Sequence, residues 1–577
     1  MLSARAIERT LVALATSLVV LGGCNAALEA PFAAAHPDDE TPRRGGTLHL
    51  ASIADIATLD PPIASDMFTS SVIRLVYAGL VDFDRNGNVV PDLASRVDEV
   101  DDGLAYRFTL RQGVRFHDGA ELTASDVKRS IERALSPTTP SPTASFYQSI
   151  EGYDAYASKK TPHLEGVEVE GRYLVLIRLH ERDSTFLPAL AMAALRVTCP
   201  SAGESYSPSL SACGAGPFRV MPGGWERGRT LTLVRNESYF RPGLPYLDAV
   251  TWQLNASNPA SQAFKFSRGE IDVVRDLSQT DTIRYEGDPR WKSFVALEPA
   301  HSMQGDSMNT EIPPFDNVEV RRAVAAAIDR DHIVMLKSSN LTAVTKPVPP
   351  GMPGYDPHFE GQRYDYAAAL AHMKKAGYPF DPATGQGGWP APIVYDLARP
   401  SLQELTAMSM QQDLAKIGLR VQLRISSLPT LYSLTHRRGK SQMSPQGWEE
   451  DFPDPSNFLE PLFSSKSIGE EDTLNYAFYR NAAVDDALAR ARSERDPAAR
   501  ARLYEQTERV ICDEAPWAFE FAYRFFQAHQ PYVRNLHGHP VWIADVTDVW
   551  LDRERDAVAR KEAPLLRALS AGLGVAR

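Results

Sequence analysis

Two hydrophobic periodicities alternate along this chain. Tyr106, Phe108 and Leu110 are apolar with Arg107, Thr109 and Arg111 between them, the period of two that marks a half-buried strand. Thr47-Leu48-His49-Leu50, after Gly46, alternates in the same way and predicts a first strand. Val320, Ala323, Val324, Ala327 and Ile328 instead fall on one face at helical spacing, with Arg321, Arg322 and Asp329 off it. Leu503, Thr507, Val510 and Ile511 repeat that spacing until Pro516 stops it. Thr123-Ala124-Ser125-Asp126 has the form of a capping box with Asp in the usual Glu place, which predicts a helix running to Leu135. Gly113 and Asp118-Gly119 mark turns, and Pro347 to Pro357 is too dense in Pro and Gly for regular structure. Strands and helices interleaved in this way predict an α/β fold with mixed sheets. The 577 residues exceed what one hydrophobic core organises, yet no linker interrupts the pattern after residue 44. Lobes that exchange strands between distant segments account for that absence, with the crossings acting as a hinge.

The N-terminus follows another logic. Arg5 and Arg9 precede an apolar run, Leu11 to Leu21, that ends in Leu21-Gly22-Gly23-Cys24. Eleven residues are too few for a membrane-spanning helix, whereas a basic start, an apolar stretch and small residues describe an export signal. The cysteine at the cleavage position has the look of a lipobox, so residues 1–23 are expected to be removed and Cys24 to be acylated. Asn25 to Arg44 hold few large apolar groups and read as a tether.

The formal charge is −12, and −13 once residues 1–23, with two arginines and one glutamate, are gone. That balance argues against a nucleic-acid partner. Four cysteines are too few to scaffold an exported chain of this size. Besides Cys24 they are Cys199 and Cys213, which bracket a 13-residue Ser-, Pro- and Gly-rich loop, and Cys512. An oxidising compartment favours a Cys199–Cys213 bridge, with free thiols the alternative. Cys512 sits in a helical pattern and reads as a buried thiol.

Catalytic parts are missing. No Gly-x-Ser-x-Gly, Walker loop, Gly-x-Gly-x-x-Gly or His-Glu-x-x-His occurs. Ser125 and Lys128 match Ser-x-x-Lys, but a capped helix start already explains them. His537 and His539 offer two metal ligands without a visible third. No catalytic group, cofactor or metal is expected.

Several segments carry a family likeness. Thr58-Leu59-Asp60-Pro61, Tyr77-Ala78-Gly79-Leu80 and Pro91-Asp92-Leu93-Ala94 lead into Tyr106 to Gly119 and Leu122 to Val127. Gly269-Glu270-Ile271-Asp272, Pro313 to Asn317, Val320 to Arg330, Tyr364 to Pro379 and Gly447 to Pro455 follow in order. Together these resemble the family 5 extracellular solute-binding proteins, the oligopeptide- and dipeptide-binding components of bacterial ABC importers, over residues 45–550 or so. The resemblance implies a two-lobed Venus flytrap with an extra domain. Domain I would be 45–82, 200–299 and 515–552, domain II 83–199 and domain III 300–514. The hinge would lie near Glu298 to Met303 and near Asp513, and 553–577 would be a tail, either frayed or a docking helix.

The resemblance also implies a site. In peptide-binding relatives an aspartate after a Gly-Trp pair holds the peptide ammonium, and Gly447, Trp448 and Asp451 match that pattern. Trp448 either walls the cleft or fills core. Glu449 and Glu450 depart from it; they either hold a cationic ligand or are solvated loop charges. His436 and Arg437, with Arg438, stand where some relatives place cations for a peptide carboxylate. The implied protein is an exported, lipid-anchored, monomeric capture subunit. It would deliver a peptide to a membrane permease with cytoplasmic ATPase subunits. A sugar, metal chelate or opine is the rival solute, and a receptor or chaperone without a permease is the rival class.

Replacement of Cys24 by Ser should release soluble protein, and the mature wild-type N-terminus should be an acylated Cys24 by mass spectrometry. A Cys24→Ser protein that stays membrane-bound and full-length would remove the lipobox.

Overall fold

The computed structural model describes residues 41–203, 206, 212–337, 340–399, 403–543 and 545–552. The Cys24 lipobox and the 553–577 tail lie outside them. No helix among the described residues is long and apolar enough to cross a membrane.

Three sheets organise the chain. The first runs Thr47–Ala51, Ala249–Gln253, Thr230–Arg235, Phe218–Glu226, with the first pair parallel and the rest antiparallel. Alternation in Thr47–Ala51 buries Leu48 and Leu50 against a core that includes Val72, Leu75 and Trp252. Helix Met67–Val76 supplies Val72 and Leu75, and Asp66 caps it by accepting from the Thr69 amide at 2.8 Å.

The second sheet is antiparallel, in the order Ala94–Val100, Ala105–Leu110, Leu174–Arg178, Val167–Gly171. Tyr106, Phe108 and Leu110 share its buried face. Helix Ala124–Leu135 packs with this sheet, and its capping box is formed, with the Asp126 carboxylate accepting from the Thr123 amide at 2.9 Å. Lys128 donates to the Val167 carbonyl at 2.6 Å, so the Ser-x-x-Lys spacing is spent on structure.

The third sheet has eight strands. Its long strand, Trp517–His529, changes partners midway. Residues up to Tyr523 pair with Ser302–Met308 and Leu341–Ala343, while Arg524 to His529 pair with Val295–Pro299 and Val273–Val274. Beyond Ser302–Met308 come Met443–Glu449, Ile393–Ala398 and Val421–Ser426. The register slips between Gln304 and Gly305. Glycine is needed there, because a Cβ on Gly305 would stand 2.4 Å from the Ala518 carbonyl oxygen. Pro445 is accommodated inside Met443–Glu449 because the pairing with Ile393–Ala398 is confined to Met443, so its missing N–H forfeits no bond on that side.

The change of partner falls at Tyr523 and Arg524, beside the Pro299 to Ser302 connection and well past Asp513. Helix Val318–Ala327 buries Val320, Ala323, Val324 and Ala327 as its spacing predicts, and ends before Ile328. Arg321, placed off the apolar face, is buried nonetheless, since it donates to the carbonyls of Glu514 at 2.9 Å and Phe315 at 2.7 Å. Cys199 and Cys213 are joined by a disulfide with Cα atoms 5.4 Å apart. Cys512 is a buried free thiol.

Charged side chains fasten the first two sheets together. Arg133, on the second sheet's helix, forks onto Asp60 at 2.7 and 2.6 Å, and both side chains are buried. Burial works against the Asp82 carboxylate, but Arg196 and Arg74 more than offset it and hold it well below the ordinary range. Removing one partner of a buried ion pair strands the other charge. Asp60→Ala should therefore cost about 3–5 kcal/mol, read as a lower urea midpoint, and a paired Arg133→Met should restore part of it. An unchanged midpoint would show that this fork carries no weight.

Candidate functional site

The strand Met443–Glu449 and its antiparallel neighbour Ser302–Met308 meet end to end at Glu449 and Ser302. One strand's exit and the other's entry thus reach the same edge, which places Glu449, Glu450 and Asp451 beside His301. That edge borders a cavity of about 1350 Å³. Its lining also includes Leu50, Phe68 and Trp252 from the first sheet's unit, and Thr143 and Phe146 from the second's. Tyr523 to Gln527 of the long strand also line it, together with Gly538 to Ile543.

Asp451 is half-buried in this wall and makes no ion pair among the described residues. Its Oδ2 accepts from Asn457 Nδ2 at 3.1 Å, and its amide donates to Asn457 Oδ1 at 2.7 Å. Trp448 lines the cavity, packs at the edge of an apolar core and directs Nε1 to the same Asn457 oxygen at 3.3 Å. It is wall and support at once. Burial raises the Asp451 carboxyl to about 6, partly offset by the Asn457 hydrogen bond.

Glu450 is buried, which raises its pKa, while His301 opposes that shift. His301 Nδ1 stands 2.8 Å from Glu450 Oε2, yet out of line for a hydrogen bond, and both Glu450 oxygens lack a hydrogen-bond partner. Glu449 is exposed to the cavity and also raised, by desolvation. Six carboxylates (Asp66, Asp276, Glu298, Glu449, Glu450 and Asp451) border the cavity against three arginines, Arg85, Arg275 and Arg524. Arg85 is already ion-paired to Asp548. The wall beside Asp451 is therefore set to receive positive charge.

Gly447 does not line the cavity; a Cβ there would lie 2.1 Å from Gln304 Nε2, so its role is to let Gln304 cross the strand. His436 and Arg437 are also outside the lining. His436 packs between the rings of Tyr432 and Tyr476, each centroid 5.1 Å away, and Arg437 pairs with Glu471 at 3.5 Å. Arg438 is held by Glu311 and Glu470. Along the chain the strand Met443–Glu449 stands between these residues and Asp451. His539 Nδ1 accepts from the amides of Val541 and Trp542, both at 3.0 Å, which commits that atom to the backbone. Arg275, in the cavity lining just past a short strand, and Asn457, buried behind Asp451 in the first turn of a helix, are residues for which the sequence offers little signal.

Two lobes around an acidic, aromatic cleft define a solute-binding protein. The chain belongs to the bacterial extracellular solute-binding proteins, family 5, whose model matches residues 88–470. The glutathione-binding protein GsiB of Escherichia coli (strain 536) is 28% identical over 497 residues, covering 85% of this chain and 90% of that one. The fold is shared with the ABC transporter-associated periplasmic binding protein DppA of Helicobacter pylori in complex with the peptide STSA. That match has a TM-score of 0.71 and 24% identity, and covers 88% of this chain and 99% of that one. The oligopeptide-binding protein AppA of Bacillus subtilis, in complex with a nonapeptide, matches with a TM-score of 0.70 and 24% identity over 89% of this chain and 100% of that one.

A carboxyl whose folded pKa lies above its unfolded value near 4 loses stability on ionising. The cost is complete above about pH 6 and absent below about pH 4. Asp451→Asn should thus raise the thermal midpoint of the ligand-free protein at about pH 7.5, with the gain shrinking to nothing by about pH 4. A gain that is the same at every pH would contradict a strained carboxylate.

Proposed function

We propose that this chain is the capture subunit of a bacterial ABC importer and that its solute is a short peptide with a free ammonium group. The observation that carries this is Asp451, a carboxylate in the cleft wall with a supporting amide and no cationic partner among the described residues. A desolvated anion is stabilised when a ligand cation completes it, and a peptide N-terminus supplies a compact cation with three donors. Glu449 and Glu450 deepen the negative potential of the same wall, while Trp448 gives a flat apolar surface for the chain that follows the ammonium. The names of the relatives, a glutathione-binding protein and proteins in complex with peptides, support the same solute class. Solute bound to both walls would favour a closed arrangement of the lobes by its differential affinity. In this reading the protein binds and releases its solute without chemistry. Cys24 would hold it to the membrane as a monomer while a permease and its ATPase subunits take the peptide.

Trialanine, its N-acetyl derivative and the Asp451→Asn variant test this by calorimetry. Loss of one partner of a desolvated charge pair costs about 2–5 kcal/mol, roughly thirtyfold to several-thousandfold in affinity. Acetylation and Asp451→Asn should each weaken binding by that order, and together by hardly more than either alone. Equal affinity for free and acetylated peptide in the unmodified protein would remove the ammonium from Asp451.

A further inference from the structure

Rotation about the crossings at Pro299 to Ser302 and Tyr523 to Arg524 would move the third sheet's unit against the other two. Those two stay together, because the buried Arg133–Asp60 fork fastens them. Contacts between the second sheet's unit and the third's are therefore the ones such a motion has to part. Two groups of them involve no residue of the cavity lining.

The first is a helix end. Helix Ala482–Ser493 buries Val484, Leu488 and Ala491 in a core shared with Trp517 and Phe519 of the long strand. The last four carbonyls of a helix have no partner within it. Here the Arg492 carbonyl accepts from the Ser184 amide at 2.8 Å, and the Ala491 carbonyl from the Ser184 hydroxyl at 3.4 Å. Ser184 stands just before helix Phe186–Ala191, whose Phe186 and Leu190 belong to the second sheet's core. One unit thus caps a helix of another.

The second group is ionic. Arg495, in the turn between that helix and the helix Pro497–Glu514, donates to Glu99 at 2.5 Å and to Asp102 at 2.6 Å. Glu99 lies in strand Ala94–Val100 and Asp102 in the turn that follows, where Arg182 donates to the Asp102 carbonyl at 2.7 Å. All three charged side chains of this contact are exposed, at 54%, 39% and 66% for Arg495, Glu99 and Asp102, so water replaces each partner at little cost when they separate. At the cavity the same two units meet through Phe452, the residue after Asp451, whose ring stands edge-on to Phe146 with centroids 5.6 Å apart.

We propose that the second sheet's unit is a latch on the closed cleft, engaging the third through Ser184 at the helix end and through Glu99 and Asp102 at Arg495. Contacts made only on closure leave capture by the open form untouched and slow the departure of what has been enclosed. The latch goes beyond the capture reading and does not depend on the solute's being a peptide.

Two measurements on the full chain carrying Cys24→Ser test it. Nitroxides on Lys160→Cys and Gln506→Cys, exposed positions of the second and third units, report their separation by electron double resonance with and without trialanine. The native cysteines in the described residues are a disulfide and a buried thiol. Stopped flow gives trialanine release. Arg495→Glu should enlarge the population at long separation and speed release by about fivefold to thirtyfold, with association changed less than about threefold. Adding Glu99→Arg should recover part of both changes. Arg490→Glu, the same charge change where the ion pair lies within one helix, should alter neither. Unchanged separations or unchanged release in Arg495→Glu would overturn the latch, as would an equal effect of Arg490→Glu. A chain that does not bind trialanine removes the peptide reading, and the separations alone then decide the latch.

Discussion

Everything in this architecture hangs on one strand that hydrogen-bonds in two directions. Trp517–His529 gives its first half to Ser302–Met308 and its second to Val295–Pro299, so the floor of the cleft is one continuous backbone. Tyr523 to Gln527 line the cavity at the point where partners change. The Pro299 to Ser302 connection passes the same level. Rotation of the two sides about these neighbouring crossings would therefore leave the floor almost still and move the walls. Gln527, which orients Arg275, belongs to the stationary part.

The walls are built at a cost. Glu449, Glu450, Asp451 and Asp276 all have their carboxyl pKa values raised by burial, and the Arg275 guanidinium is lowered by it. Such groups lower the stability of the protein, and in the proposed reading that energy would be returned as affinity when a complementary charge enters. Asn457 holds Asp451 and Trp448 in place through three hydrogen bonds.

Much of this was legible in the residues alone. The alternation of Tyr106, Phe108 and Leu110, the Thr123–Asp126 cap and the helical face of Val320 to Ala327 each predict their element, because each depends only on local spacing. The family membership is equally readable, from short motifs kept in order. Trp448 and Asp451, which a motif carries, line the cavity. His436 and Arg437 are not among the lining residues, and a strand separates them from Asp451 along the chain. Arg275 is the converse. It stands next to the Gly269 to Asp272 motif but outside it, and only packing brings it to the cavity. Arg321 teaches the same lesson, since a polar residue off the apolar face was drawn inward by the carbonyls of Glu514 and Phe315.

The shared strand also sets an order of assembly. The first sheet cannot form until Ala249–Gln253 follows Thr47–Ala51, and the third cannot until Trp517–His529 has been made. A chain emerging from the ribosome N-terminus first thus lacks the central partner of its largest sheet until nearly its whole length exists. Under the export proposed for this chain such lateness would be useful: the last segment to cross would be the one that lets the rest lock.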